Sequence, residues 1–215
     1  MIIIKRVYFI CSLLICAFSF LLTINAEANE KLIIIDAGHG GTDGGAQANG
    51  ILESDLNLEI AFKLRDIFIE NGYNVDMTRE DKNSLCESKF IKKEDMNKRI
   101  NMINSKHYIC FISIHQNTFP NPVYKGAQVF YSNINESSKI LAENIQNSFV
   151  VSLKNTNRKA TKRDNVYLLN KSLIPGVIVE CGFLTNKEES DLLKTYEYQK
   201  LLAYSIFTGV KKTFN

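Results

Sequence analysis

The sequence has no Cys-x-x-Cys pair and only three histidines among its 215 residues. Its cysteines beyond residue 28 are Cys86, Cys110 and Cys181, an odd set without metal-ligand spacing. That excludes a disulfide framework and a cysteine-rich zinc site. Cys110 and Cys181 lie in apolar runs and read as buried small hydrophobes. There is no internal repeat, no low-complexity linker and no appended module. There is also no dense Lys/Arg face, and with a formal charge of +3 the balance does not call for nucleic acid as a partner. At 45% hydrophobic and 23% charged residues, the composition is that of a folded globular chain. The length suits a single domain.

One stretch is apolar enough to meet a membrane. Lys5 and Arg6 precede an apolar run from Val7 to Leu22, and Ala26-Glu27-Ala28 comes after it. A charged start, an apolar middle and a small-x-small site predict a secretory signal over residues 1–28. A retained membrane anchor through residues 7–22 is the alternative. Either would place residues 29–215 on the outer side of the cytoplasmic membrane.

From residue 29 onward, strand and helix patterns alternate. Lys31-Leu32-Ile33-Ile34-Ile35 is a short continuous apolar run, which reads as a strand buried on both faces. After a Gly-rich loop over residues 38–50, Leu56, Ile60, Leu64, Ile67 and Phe68 recur at helical spacing, and Gly72 sits where a helix should stop. Residues 73–77 alternate as a strand would. Met96, Ile100 and Ile103 mark a second helix, and Ile140, Leu141, Ile145 and Phe149 a third. Residues 107–114, 126–131, 166–169 and 176–179 read as strands, and 81–94 and 155–165 as loops. Asn186 with Glu189 resembles a capping box that opens the closing helical region. The expected fold is a single α/β domain, a twisted, mostly parallel (mixed) sheet of about six strands flanked by helices.

Two of the histidines occupy equivalent places. His39 comes just after the first strand and His115 ends another, while Glu180 ends a third. Ligands of open α/β sheets bind at the carboxyl ends of strands. Glu53 stands just before the first helix, with Ser54 or Asp55 as the expected cap, where negative charge is favoured. Two imidazoles and a carboxylate with one open position form the pattern of catalytic zinc, and a further carboxylate could carry protons. On spacing alone, a strand-end glutamate is more often a surface or salt-bridged group. His107 precedes its strand and reads as structural. The glycines of residues 38–45 lack a Gly-Lys-Ser/Thr, and Asp43 stands where the third glycine of a dinucleotide loop belongs. They suit a backbone that bends tightly around a metal instead.

Four stretches stand in order: residues 33–41 (Ile-Ile-Ile-Asp-Ala-Gly-His-Gly-Gly), 50–58 (Gly-Ile-Leu-Glu-Ser-Asp-Leu-Asn-Leu), 113–117 (Ser-Ile-His-Gln-Asn) and 179–186 (Val-Glu-Cys-Gly-Phe-Leu-Thr-Asn). In these the chain resembles the zinc-dependent N-acetylmuramoyl-L-alanine amidases of the Amidase_3 family. The resemblance implies one Zn2+ per chain held by His39, Glu53 and His115, with Glu180 as the catalytic glutamate. It implies hydrolysis of the amide between the muramic acid lactyl group and L-Ala in peptidoglycan. Asn117, Arg158 and Arg163 are candidates for substrate contact, with solvated surface as the alternative for each. The short single domain and residues 113–119 are most like the CwlD-type sporulation amidases. That subgroup implies spore-cortex maturation, functional pairing with a peptidoglycan deacetylase, formation of muramic-δ-lactam, and location between the forespore membranes. Residues 117–180 have little spare length for an inserted inhibitory helix, so the site is expected to be uncovered, with a separate activating or targeting protein as one route of control. A zinc peptidase acting on another peptidoglycan bond and a non-catalytic wall-binding protein are the competing readings.

Overall fold

Three consecutive isoleucines, Ile33, Ile34 and Ile35, form the middle of strand β1 (Leu32–Ala37), and all are fully buried. Side chains alternate along a strand, so such a run needs cover on both faces. The computed structural model, which describes residues 31–215, shows that cover. The signal or anchor expected in residues 1–28 lies outside the described residues.

A short hairpin, β2 (Gln47–Ala48) and β3 (Ile51–Leu52), leads into helix α1 (Glu53–Glu70) and strand β4 (Asn74–Met77). Next come helix α2 (Lys92–Ile103), strand β5 (Phe111–Asn117), strand β6 (Gln128–Tyr131) and helix α3 (Glu136–Leu153). Strand β7 (Thr161–Lys162), helix α4 (Tyr167–Lys171), strand β8 (Gly176–Phe183) and helices α5 (Lys187–Leu193) and α6 (Tyr196–Phe214) complete the chain. Six strands form one sheet in the order β4-β1-β5-β8-β6-β7. Only the β6–β8 pair is antiparallel, which makes the sheet mixed and mostly parallel, as expected.

The two faces of the sheet differ. On one, Ile33, Ile35, Ile112, Ile114, Val177 and Val179 join a core with Leu64 of α1, Phe149 of α3 and Ile206 of α6. On the other, Ile34, Phe111, Phe130 and Ile178 pack with Ile100 and Ile103 of α2 and with Leu168 and Leu169 of α4. That second face turns polar towards the carboxyl ends of β1, β5 and β8. Asp36 lies two residues beyond Ile34, Ser113 and His115 beyond Phe111, and Glu180 beyond Ile178. Period-2 geometry keeps each on the same side as the apolar residue below it. Glu180 pairs in register with His115 on one side and Gln128 on the other.

Several local expectations need correction. Residues 166–169 are not a strand; they lead into α4, which buries Leu168 and Leu169 side by side in sequence. A four-residue apolar run carries no period that separates strand from helix. Strand β5 begins at Phe111, so His107 lies before it, exposed. The stretch 155–165 is not all loop but contains β7. Neither Ser54 nor Asp55 caps α1: Leu52 is the cap residue, without a side-chain bond, and Glu53 is the first helical residue. The Asn186–Glu189 box is half formed. Asn186 accepts from the Glu189 backbone N–H at 2.9 Å, but the Glu189 carboxylate takes the N–H groups of Phe183 and Gly126. Among the described residues no helix is long and apolar enough to cross a membrane.

Candidate active site

Beyond Ala37 the chain turns through His39, whose φ of 63° lies in the left-handed region that costs a non-glycine residue energy. Two buried arginines hold that turn. Arg79 donates to the carbonyls of Ala37 (2.8 Å), Gly38 (3.0 Å) and Ser54 (2.8 Å). Arg99 donates to the carbonyls of Ala37 (2.8 Å) and His39 (2.6 Å), and to the carboxylates of Asp36 (2.6 Å) and Asp95 (2.7 Å). Asp36, fully buried, also accepts from Ser113 Oγ (2.6 Å) and Thr78 Oγ1 (2.7 Å). Burial works against the Asp36 charge, but Arg99 and these hydroxyls outweigh it and lower its pKa to about 2.

The turn delivers His39 to Glu53. His39 Nδ1 lies 2.9 Å from Asp43 Oδ2, a contact that leaves Nε2 to face Glu53 Oε1 at 3.4 Å. His115 Nδ1 stands 3.0 Å from the same oxygen. The two rings meet edge to face at 5.0 Å. Gly38 permits this: a Cβ there would lie 2.3 Å from His115 Nε2. Glu53 itself is anchored by the N–H groups of Ala46 (2.8 Å, to Oε2) and Gln116 (3.1 Å, to Oε1). One donor atom from each of His39, Glu53 and His115 falls within 4.8 Å of the others, so the three could hold a metal ion.

The electrostatics fit a cation. Burial opposes ionisation of Glu53, yet the hydrogen bonds and charges of His115 and His39 hold it well below the usual carboxylate range. Burial likewise disfavours the charged form of His39, but Glu53 and Asp43 outweigh it and raise its pKa to about 9. A carboxylate that draws positive charge this strongly between two imidazoles suits a dication equally well. Glu180 behaves oppositely. Burial raises its pKa, helped by the negative charge of Glu53 and offset by His115. Its residue surface is partly open, but Oε2 is buried and has no hydrogen-bond partner among the described residues.

A pocket of ≈ 200 Å³ opens against the two histidines, lined also by Asp43, Phe90, Met96, Val166 and Leu168. A wider concavity of ≈ 1040 Å³ borders the 80–90 loop and shares Phe90 with it. The pocket against the histidines is the one with the chemistry. Of the four expected residues, His39, Glu53 and His115 come together, and Glu180 stands beside His115 in register on β8. Asn117 ends β5 and is tied through its carbonyl to the Leu184 N–H at 2.9 Å. Arg158 and Arg163 lie across β6, stacked on Phe183 (4.8 Å) and Phe130 (4.1 Å). Asp36, Arg79 and Arg99 are not among the expected site residues. The one available signal was an aspartate closing a buried strand, which demands a partner. Cys110 and Cys181 are fully buried free thiols, as expected of small hydrophobes.

Fold and site together define an α/β chain with a metal-ligand set at the carboxyl ends of its strands. Residues 33–212 match the family described as N-acetylmuramoyl-L-alanine amidase, and the chain belongs to that family. It is 39% identical over 189 residues to the germination-specific N-acetylmuramoyl-L-alanine amidase of Bacillus subtilis (strain 168), spanning 86% of this chain and 80% of that protein. Among solved structures it resembles the CwlD amidase from Clostridioides difficile in complex with the GerS lipoprotein, with a TM-score of 0.81 and 38% identity over 85% of this chain and 98% of that one. It also resembles the N-acetylmuramoyl-L-alanine amidase from Clostridium difficile 630, with a TM-score of 0.77 and 30% identity over 86% and 97% of the two chains.

Proposed function

We propose that the chain is a zinc-dependent N-acetylmuramoyl-L-alanine amidase, with His39, Glu53 and His115 as metal ligands and Glu180 as the group that handles protons. The observation that carries this reading is the convergence of three donor atoms within 4.8 Å beside a buried, unpartnered carboxylate oxygen on the neighbouring strand. Two imidazoles and one carboxylate match the ligand set of catalytic zinc, with one position left open.

When bound, zinc supplies the Lewis acidity that polarises a carbonyl and makes water a stronger acid. Glu180 then takes the proton from water, whose hydroxyl goes to the lactyl carbonyl carbon. The C–N bond to L-Ala breaks, and Glu180 returns the proton to the departing amine. Burial raises the pKa of the Glu180 carboxyl, the direction that helps it keep a proton long enough to pass it to the amine. Asp43 orients His39, and Asp36, Arg79 and Arg99 hold the turn that presents it. Asn117, Arg158 and Arg163 contact substrate.

Residues 1–28 export the chain or anchor it, and residues 29–215 form the catalytic domain, acting on the cell-wall side of the membrane. The similarity to a germination-specific amidase supports a role in the spore cortex, between the forespore membranes. There the enzyme would bare muramic acid for a deacetylase and lactam formation. The neighbour solved with a lipoprotein supports a separate protein partner for this chain as well.

Digestion of purified peptidoglycan with the zinc-loaded chain tests the reading. Mass spectrometry should find intact stem peptides that begin with free L-Ala. Peptides cut at any other bond would make it a different peptidase. Spores lacking the protein should have no muramic-δ-lactam; a normal lactam content would remove the cortex role.

A further inference from the structure

The sheet order gives the site a direction. Across the second face run His39 at the end of β1, His115 on β5, Glu180 on β8 and Gln128 on β6, with β7 at the edge. The metal ligands lie on the β1 side of Glu180. If Glu180 protonates the leaving amine, the peptide that carries the amine extends the other way, over β6 and β7. Adjacent strands are about 4.8 Å apart, so the β7 edge is about 10 Å from Glu180, or some three peptide residues.

That edge is cationic. Residues 154–165 contain Lys154, Arg158, Lys159, Lys162 and Arg163 against a single acid, Asp164. The opposite flank, residues 80–94, is balanced, with Glu80, Asp81, Glu87 and Glu94 against Lys82, Lys89, Lys92 and Lys93.

Two of the cations on the β7 side are held in place. Arg163 lies over the ring of Phe130 at 4.1 Å, and Phe130 faces Ile178, two residues below Glu180 on the same side of the sheet. Arg158 lies over Phe183 at 4.8 Å, with Nε donating to the Lys125 carbonyl (3.0 Å) and Nη1 to Gln128 Oε1 (3.2 Å). Gln128 is in turn tied to the Lys159 carbonyl (3.1 Å) and Thr161 Oγ1 (3.0 Å). Arg158 also borders a groove of ≈ 670 Å³ with Lys154, Tyr124 and Lys125, the last paired with Glu188 at 3.2 Å. A stacked guanidinium has lost much of its rotamer freedom already, so it gives up less on binding.

We infer that Arg163 and Arg158 form a subsite that binds carboxylates of the leaving peptide, so that the enzyme selects stem peptides with free acid groups over amidated ones. The guanidinium of Arg163 offers paired N–H donors that match a carboxylate, Arg158 adds its charge and Nη2 beside its internal bonds, and an amide offers neither the charge nor the second acceptor. The inference rests on the proton-transfer role proposed for Glu180.

The test uses soluble glycan strands with their stem peptides. One batch keeps its carboxylates, and the other is converted to amides by carbodiimide coupling with ammonia. The whole zinc-loaded chain should show kcat/KM about tenfold higher on the acidic strands, mainly through KM, as expected for one charge-assisted contact. Added salt should narrow the gap. Arg163→Gln and Arg158→Lys should each lower turnover of the acidic strands and narrow the gap, and the two together should close it; the lysine keeps the Arg158 charge while removing the stacked planar guanidinium. Equal kcat/KM on both strands for the parent, or a gap that survives both substitutions, overturns the subsite and leaves the amidase reading intact. Failure to release L-Ala peptides from either strand overturns the amidase reading and the subsite with it.

Discussion

His115 and Glu180 face one another across the parallel register of β5 and β8, on the side of the sheet away from α1 and α6. One is a strand-end imidazole bonded to Glu53, the other a strand-end carboxylate with a buried oxygen left open. Their spacing is that of neighbouring strands and owes nothing to loop conformation. A metal-ligand group and a proton-transfer group thus share one rigid frame, which is how catalytic groups hold their geometry without reorganising.

The Asp43–His39 contact of 2.9 Å sets the ring orientation that turns Nε2 towards Glu53. Asp43→Ala should weaken zinc binding about ten- to hundredfold while leaving the fold intact, by analogy with other carboxylates that orient ligand histidines. Competition with a chelator of known affinity measures this. Unchanged affinity would mean that the His39 turn, held by Arg79 and Arg99, orients the ring unaided.

Asp36 makes stability depend on pH in a defined direction. Burial opposes its charge, Arg99 overcomes that, and its pKa falls from 3.8 unfolded to about 2 folded. A depressed carboxyl pKa contributes stability above the unfolded value, and that contribution disappears as pH falls towards the folded one. The contribution is about 2 kcal/mol. Denaturant melts should show the stability difference between the parent and Asp36→Asn shrinking by about that amount from about pH 5 to about pH 2. A difference that stays constant over that range contradicts the assignment.

Glu189 is 1% exposed and holds the end of the strand that carries Glu180. Its carboxylate accepts from Phe183 N at 2.7 Å and Gly126 N at 2.9 Å, and a Cβ on Gly182 would come within 2.9 Å of its Cδ. Glu189→Ala would leave two buried N–H groups unpaired and should cost about 3 kcal/mol in chemical denaturation. Glu189→Gln can still accept one of the bonds and should cost less. Equal losses would point to packing rather than hydrogen bonding.

Much of this site was legible in the sequence because its parts sit at the ends of apolar runs. Ile33-Ile34-Ile35, Phe111-Ile112 and Val177-Ile178-Val179 announce buried strands, and His39, His115 and Glu180 stand just past them. The position of Glu53 was legible only as nearness to a helix start. That its carboxylate reaches across to β5 depends on the Ala46 and Gln116 amides, which no local pattern encodes. The Asp36–Arg99 pair was not legible for the same reason. It joins β1 to α2 on one face of the sheet, and periodicity reports which side of an element is buried but not which charge meets which. Helix α4 was misread because its apolar residues are adjacent in sequence. Their burial comes from the gap beside α2, a tertiary fact.

The most direct test of the account is a paired measurement on Glu180→Gln, which keeps the shape of the side chain and removes its proton chemistry. Elemental analysis should find one zinc per chain, as in the parent, while release of stem peptides from peptidoglycan falls about a hundredfold or more. Release at the parent rate with zinc retained would contradict the role given to Glu180 and the mechanism built on it.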